Sequence, residues 1–178
     1  MSYVYSDGAI REILRNAKTI AIVGASPKDV RPSFFVARYM LDKNYRVFPV
    51  NPGQAGKTIL GQTVYAALAE IPEPIDIVDI FRSSAEAPRV VDAALKLDPL
   101  PKVIWMQLGI SDDAAAARAE AAGVTVVMDR CLKIEYGRLS GEIGWAGVNS
   151  RVLSSKKPVL AGGSQSWGLA PAARERGK

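Results

Sequence analysis

The chain of 178 residues has no histidine and a single cysteine, Cys131. Together these scarcities close several chemistries. Without imidazole there is no Ser-His-Asp or Cys-His nucleophile, no phosphohistidine relay and no histidine-ligated metal. With one thiol there is no internal disulfide and no thiolate zinc cluster, and a reducing compartment, the cytoplasm, is the expected one. Long apolar runs are missing too. Nothing approaches the roughly 20 residues that cross a bilayer, so no membrane partner is expected. The opening Met1-Ser2-Tyr3-Val4-Tyr5-Ser6-Asp7 lacks the basic stretch and apolar core that mark a signal peptide.

Charge of one sign is scarce where a nucleic-acid surface would need it. The formal net charge is +5, but residues 151–178 carry Arg151, Lys156, Lys157, Arg174, Arg176 and Lys178 against Glu175 alone. That surplus accounts for the whole net charge, and residues 1–150 balance. No basic stripe with interleaved aromatics appears, so nucleic acid is not an expected partner. What is present is the balance of an ordinary globular domain, 48% hydrophobic and 23% charged residues, in a chain long enough to bury a core.

Asp7 to Ala17 reads as a helix, with Asp7 as a candidate N-cap and Ile10, Ile13 and Leu14 on one face. Thr19-Ile20-Ala21-Ile22-Val23 is apolar on both faces, as a strand in the middle of a parallel sheet must be. A second helix opens at Pro32-Ser33 and runs to about Lys43, with Val36, Tyr39 and Met40 inward. Tyr45–Val50 is the next strand, where Pro49 favours an edge position. A Gly-rich loop at 53–62 contains a short extended piece at Ile59-Leu60, and a helical turn follows at Ala66–Glu70. Ile75–Phe81 is a strong strand; Ser83 or Ser84 then caps a helix through Leu97. Lys102–Met106 and Val124–Met128 are further strands, separated by an alanine-rich helix from Ser111-Asp112-Asp113 to Ala122, with Gly123 as its C-terminal cap residue. Strands alternating with helices specify an α/β fold, a single doubly wound, Rossmann-like parallel sheet of about five strands. Residues 1–140 form that domain. Beyond about Gly141 regular spacing fails, and 141–178 reads as a Gly-rich basic extension, partly disordered. Trp145 and Trp167 either pack back on the body or anchor a protein partner or second subunit.

The turn after the first strand, Val23-Gly24-Ala25-Ser26-Pro27-Lys28, stands where open α/β sheets place a ligand's phosphates against a helix N-terminus. Gly24 allows close backbone approach, Ser26 can donate a hydrogen bond, and Lys28 and Arg31 add positive charge. The plain alternative is a tight turn that binds nothing. A nicotinamide site is disfavoured: the turn has one glycine instead of G-x-G-x-x-G, and Asn51-Pro52 stands where an acid would meet the ribose. Gly56-Lys57-Thr58 is not part of a G-x-x-x-x-G-K-[ST] loop after a strand, so nucleoside triphosphates are disfavoured as well.

Val23-Gly24-Ala25-Ser26-Pro27, Arg31-Pro32-Ser33, Val50-Asn51-Pro52, Ile59-Leu60-Gly61, Ile77-Val78-Asp79-Ile80-Phe81-Arg82, Trp105-Met106-Gln107-Leu108-Gly109 and Asp129-Arg130-Cys131 fall in an order that is similar to the stand-alone CoA-binding proteins of bacteria and archaea. Those proteins resemble the CoA-binding domain of the succinyl-CoA synthetase α-subunit, and the resemblance spans about residues 8–139. It implies a site for coenzyme A or an acyl-CoA. Gly24, Ala25 and Ser26, with Pro27, Lys28 and Arg31 beside them, would meet the pyrophosphate; Asn51 and Pro52 would wall the adenosine. Lys57 would meet a phosphate, with Phe81, Arg82 and Gln107 along the carboxyl edge. Cys131 would lie near the CoA sulfur, its pKa lowered by Arg130 and Lys133, where a mixed disulfide can form; the plain reading is a buried small side chain. Many members carry an imidazole near the position of Tyr136, and the synthetase's phosphorylated histidine has no counterpart here. The resemblance therefore implies a CoA binder without ligase activity of its own. The competing readings are an acyl-CoA-using enzyme or ligase subunit that needs a partner chain, with Cys131 or Glu135 assisting, and an NAD(H)-responsive regulator.

Overall fold

Five parallel strands with every apolar face covered follow from the runs just described. In the computed structural model, which describes residues 3–141, the elements are α1 (Asp7–Asn16), β1 (Thr19–Val23), α2 (Pro32–Asp42), β2 (Arg46–Val50), β3 (Thr58–Ile59), β4 (Gln62–Thr63), β5 (Ile77–Ile80), α3 (Ala87–Ala94), β6 (Val103–Met106), α4 (Asp113–Ala121), β7 (Thr125–Val127) and α5 (Leu132–Leu139). The sheet order is β2-β1-β5-β6-β7, all parallel. Chain order thus proceeds outward in one direction from β1 to β2, then returns to β1's other side at β5. That reversal is the topological switch point of a doubly wound sheet.

Alternation along each strand sorts the core into two layers. Ile20, Ile22, Ile77 and Trp105 pack with Ile10 and Leu14 of α1, Val36 and Met40 of α2 and Leu132 of α5. On the opposite face Ala21, Val78, Ile80, Ile104 and Met106 meet the small faces of α3 (Ala87, Val91, Ala94) and α4 (Ala115, Ala116, Ala119). Every residue of β1, β5 and β6 is buried, Asp79 of β5 included, as strands covered on both faces require. Each fully buried isoleucine there is worth about 1.5–3 kcal/mol relative to exposure.

Pro32 does open α2, and Val36, Tyr39 and Met40 are buried as expected. Gly123 (φ 85°) ends α4: its N–H donates to Glu120 O at 2.9 Å, and Val124 N–H to Ala119 O at 3.0 Å, a Schellman pair. β2, with β7 at the other side, is one of the two edge strands. Its Pro49 carbonyl accepts from Tyr65 N–H, so the following segment covers that edge.

Two expectations need correction, and two elements go beyond what was expected. Ser6, not Asp7, caps α1, because its Oγ accepts from Ala9 N–H at 3.2 Å while Asp7 enters the first turn. Ser83 does not cap a helix to Leu97. Ser83 Oγ donates to Glu86 Oε2 at 3.0 Å in a turn preceding α3, which starts only at Ala87 and stops at Ala94. The extended piece at Ile59-Leu60 is half of a hairpin, β3 with β4, turned by Leu60 (φ 52°) and Gly61 (φ 76°), the two positive values of a type I′ turn. Finally, α5 follows the Asp129-Arg130-Cys131 loop. The extension past Gly141, with Trp145 and Trp167, lies outside the described residues.

Candidate functional site at the carboxyl edge of the sheet

The ends of β1 and β5 meet at the switch point, and Gly24 is where they touch. Gly24 has φ 91°, and a Cβ built on it would lie 2.8 Å from Phe81 O and 3.3 Å from Arg82 Cδ. Only a residue without a side chain lets the first turn pass under the end of β5. The structure therefore brings together Gly24, Phe81 and Arg82, three of the residues singled out from the sequence.

A second junction ties β2 to the same turn. Gly24 N–H and Ala25 N–H both donate to Val50 O, at 2.9 and 3.3 Å. Asn51 Nδ2 donates to Ala25 O at 2.7 Å, and Asn51 Oδ1 accepts from Gly53 N–H at 3.0 Å. The Asn51 amide thus staples the end of β2 to the turn. Pro52, exposed, opens the short helical turn that follows.

Within the turn, Ser33 Oγ accepts from Ser26 N–H and Ser26 Oγ accepts from Lys28 N–H, both at 3.2 Å. Arg31 N–H donates to Lys28 O at 3.0 Å. Ala25 is buried, Ser26 is half-buried, and Pro27, Lys28 and Arg31 are exposed. The side chain of Arg31 makes no capping bond although it occupies the N-cap of α2. Lys57 sits in the segment after β2, exposed, with Nζ donating to Gln54 Oε1 at 3.2 Å. Lys28, Arg31, Lys57 and Arg82 accordingly all follow carboxyl ends of strands; no direct contact joins Lys57 to the turn among the described hydrogen bonds.

One step along the edge, Gln107 is buried and its Nε2 donates to both oxygens of Asp79, at 2.8 and 3.0 Å. Asp79 is completely buried in β5, and burial pushes its carboxyl up to about 8, with the Gln107 bond pulling the other way. Asp79, part of the Ile77–Arg82 motif, is not among the site residues expected from the sequence. The available signal was an acid inside an otherwise apolar strand, a placement that requires a partner. Asp76 in the same segment is its opposite. Burial alone would raise that carboxyl as well, but bonds from Lys102 and from Lys18 and Thr19 hold it below its usual value.

Cys131 is half-buried just before α5, within electrostatic reach of Asp79. The expectation of a lowered thiol pKa is overturned. Burial pushes it up, and the Ile134 N–H offsets this only in part. Arg130, one of the two expected neighbours, is engaged elsewhere: its guanidinium donates to Tyr3 O at 2.7 Å and lies 5.9 Å from the Tyr5 ring. Lys133 lies 5.4 Å from the Tyr39 ring centroid and 5.9 Å from that of Phe35. Glu135, the other side chain weighed for assisting chemistry, is buried and paired with Arg138 at 2.6 Å.

A family model described as CoA binding domain matches residues 18–137. The chain belongs to this CoA-binding domain family. The match runs from the start of β1 into α5, so it includes every site residue just described. Among family relatives, the protein YneT of Bacillus subtilis, described as uncharacterized, is 38% identical over 131 residues, 74% of this chain and 94% of that one. A solved hypothetical protein of Pyrococcus horikoshii superposes with a TM-score of 0.72 at 36% identity, covering 79% of this chain and 100% of that chain. An acetate–CoA ligase (ADP-forming) of Archaeoglobus fulgidus is 28% identical over 148 residues, 78% of this chain but 21% of the ligase. The expected likeness to the succinyl-CoA synthetase α-subunit is met only loosely, through this acetate–CoA ligase.

Proposed function

We propose that residues 1–140 bind coenzyme A or an acyl-CoA at the carboxyl edge of the sheet, and that the chain has no ligase activity of its own. The observation that carries this reading is the closure of Gly24 beneath Phe81 and Arg82 at the switch point, in a chain of the CoA-binding domain family. The pyrophosphate would lie over the Gly24–Ser26 turn. There the two bonds accepted by Ser26 Oγ and Ser33 Oγ, both 3.2 Å, are the ones a phosphate oxygen would replace. A hydroxyl that gives up an N–H can rotate and donate to the anion instead. Lys28, Arg31 and Arg82 supply charge on either side of the turn, and Lys57 approaches from beyond β2. Pro52 offers an apolar wall to the adenine, while Asn51, committed to Ala25, acts by holding that wall in place. Gln107 and Cys131 lie on the pantetheine side.

A second reading, the CoA-binding portion of a ligase completed by another chain, is favoured by the match to a fifth of an acetate–CoA ligase. Calorimetric titration of the full chain with CoA, dephospho-CoA and NAD at fixed salt tests both. Micromolar or tighter CoA binding, weakened without the 3′-phosphate, is expected. Binding of NAD in preference to CoA would overturn the reading in favour of a nicotinamide-responsive regulator. Acetyl-CoA synthesis from acetate, ATP and CoA by the isolated chain would overturn the claim that it is no ligase.

A further inference from the structure

The opposite edge of the sheet, where the strands begin, holds a feature that CoA binding does not use. A cavity of about 360 Å³ opens there between the ends of α1, α2 and α5. Its lining includes Arg11 and Arg15 of α1, Lys18 just before β1, and Lys43 just after α2, with no aspartate or glutamate among the lining residues. β1 is five residues long, so this edge lies roughly 16 Å from Gly24.

Four cations around one space repel one another, and Arg11 and Arg15, one helical turn apart on a single face, do so directly. Three acids on neighbouring elements are already committed, and Glu12 and Asp42, the sequence neighbours of Arg11 and Lys43, do not line the cavity. Asp7 and Glu135 are both taken by Arg138, at 2.8 and 2.6 Å. Asp76 is held by Lys102 at 2.7 Å and by the backbone N–H groups of Lys18 and Thr19. Among the described residues Arg11, Arg15 and Lys18 enter no ion pair, and the Lys43 ammonium lies over the Tyr39 and Tyr136 rings at 5.0 and 5.7 Å. Helix polarity explains part of this arrangement, since Arg15 in the last turn of α1 and Lys43 after α2 complement negative helix ends. It does not explain Arg11, one turn earlier, or Lys18, beyond the helix.

We propose that this cavity is an anion site for a compact phosphorylated ligand carrying at least two phosphate groups. The guanidinium forks of Arg11 and Arg15 and the Lys18 ammonium supply three positive charges, with Lys43 on the same cavity wall, matching a diphosphate rather than a single carboxylate. Asn44 and Ser140 on the rim add neutral hydrogen-bonding groups. The space is concave, lined by Leu14, Leu139 and the Tyr45 and Tyr136 rings as well as by the cations, and it is separate from the CoA edge, so both ligands can be held together.

The test uses inorganic pyrophosphate and the full chain, followed by calorimetry and by ¹H–¹⁵N spectra. Saturable binding is expected, with the largest amide shifts at Arg11, Arg15, Lys18 and Asn44. Arg11→Gln with Arg15→Gln should weaken pyrophosphate at least tenfold and leave CoA affinity unchanged. Lys18→Gln with Lys43→Gln is a second, independent pair with the same expectation. Lys28→Gln with Arg31→Gln, at the other edge, should leave pyrophosphate binding intact. Absence of saturable binding, wild-type affinity in both cavity variants, or loss of pyrophosphate only in the Lys28–Arg31 variant would each overturn the proposal. Because the Gly24–Ser26 turn is proposed to meet the CoA pyrophosphate, the titration is run with and without saturating CoA, and binding at the cavity should persist in both.

Discussion

Gln107 Nε2 lies within hydrogen-bond reach of both carboxyl oxygens of Asp79, at 2.8 and 3.0 Å, and the two side chains bridge β5 and the end of β6 inside the sheet. A carboxyl with no access to water needs a partner in either protonation state. A primary amide is suited to that, since it presents N–H groups to a carboxylate and a carbonyl to a carboxylic acid. Because Gln107 is also the first residue of the β6–α4 connection, the pair fixes the floor of the carboxyl edge.

The buried carboxyl makes stability depend on pH. In the unfolded chain Asp79 ionises near its usual 3.8, whereas in the folded chain burial raises it to about 8. Between those values the folded state binds the extra proton, so stability is full below pH 4 and is lost as pH rises towards 8. Asp79→Asn keeps an acceptor for Gln107 and removes the titration. Thermal melts from pH 5 to 9 should therefore show the wild-type Tm falling relative to the variant by about 5 °C or more. Parallel pH profiles for the two proteins would show that Asp79 titrates normally.

Gln107→Leu leaves the carboxyl buried without its partner. The expected cost is about 1–3 kcal/mol in urea unfolding at pH 7. Adding Asp79→Val to that variant should recover part of the loss, because replacing both polar partners by apolar groups removes the unpaired buried group. A double variant less stable than Gln107→Leu alone would mean that Asp79 is held by something other than Gln107.

How legible these features are in the sequence depends on whether each residue's surroundings repeat its own chemistry. Thr19–Val23 and Val103–Met106 can be read directly, because a strand buried on both faces must be apolar throughout. Gly123 is legible because few other residues end a helix at positive φ. α5 is not: its buried positions are Leu132, Glu135 and Gly137, a face that carries no apolar stripe. The β3–β4 hairpin is hidden because Leu60 takes a turn position usually filled by Asn, Asp or Gly. In the candidate site, Gly24 and its neighbours on the first turn are legible from strand–turn–helix spacing alone. The commitment of Asn51 to Ala25 and the raised pKa of Cys131 are not, since both arise from contacts between distant segments and from depth of burial.

Cys131 should react slowly. Its thiol is pushed up by burial, so little thiolate is present near neutrality, and alkylation requires thiolate. With iodoacetamide at pH 7.5 the intact chain should be modified at least about tenfold more slowly than glutathione, accelerating as pH rises. Incubation with oxidised CoA, followed by intact-mass spectra without reductant, asks whether bound CoA overcomes this. A mass increase of one CoA, absent in Cys131→Ser, would place the CoA sulfur beside the thiol. No adduct, together with tight CoA binding, would leave Cys131 a packing residue.

The first turn separates folding from binding when two substitutions are compared. Gly24→Ala forces a side chain into a φ of 91° and places its Cβ 2.8 Å from Phe81 O, a backbone atom that cannot step aside cheaply. The expected stability loss is about 1–3 kcal/mol, and because Phe81 and Arg82 must shift, CoA affinity should fall at least tenfold with it. Ser26→Ala disturbs much less. Ser26 Oγ contributes one 3.2 Å bond, to Lys28 N–H, so Tm should move little. If the hydroxyl turns to donate to a phosphate, affinity for CoA should nonetheless drop about three- to tenfold, the worth of one hydrogen bond of roughly 0.5–1.5 kcal/mol. The contrast carries the inference. Gly24→Ala lowers both stability and affinity, whereas Ser26→Ala lowers affinity alone. Unchanged CoA binding in Ser26→Ala would move the pyrophosphate off this turn, and unchanged binding in Gly24→Ala would move it off the switch point altogether.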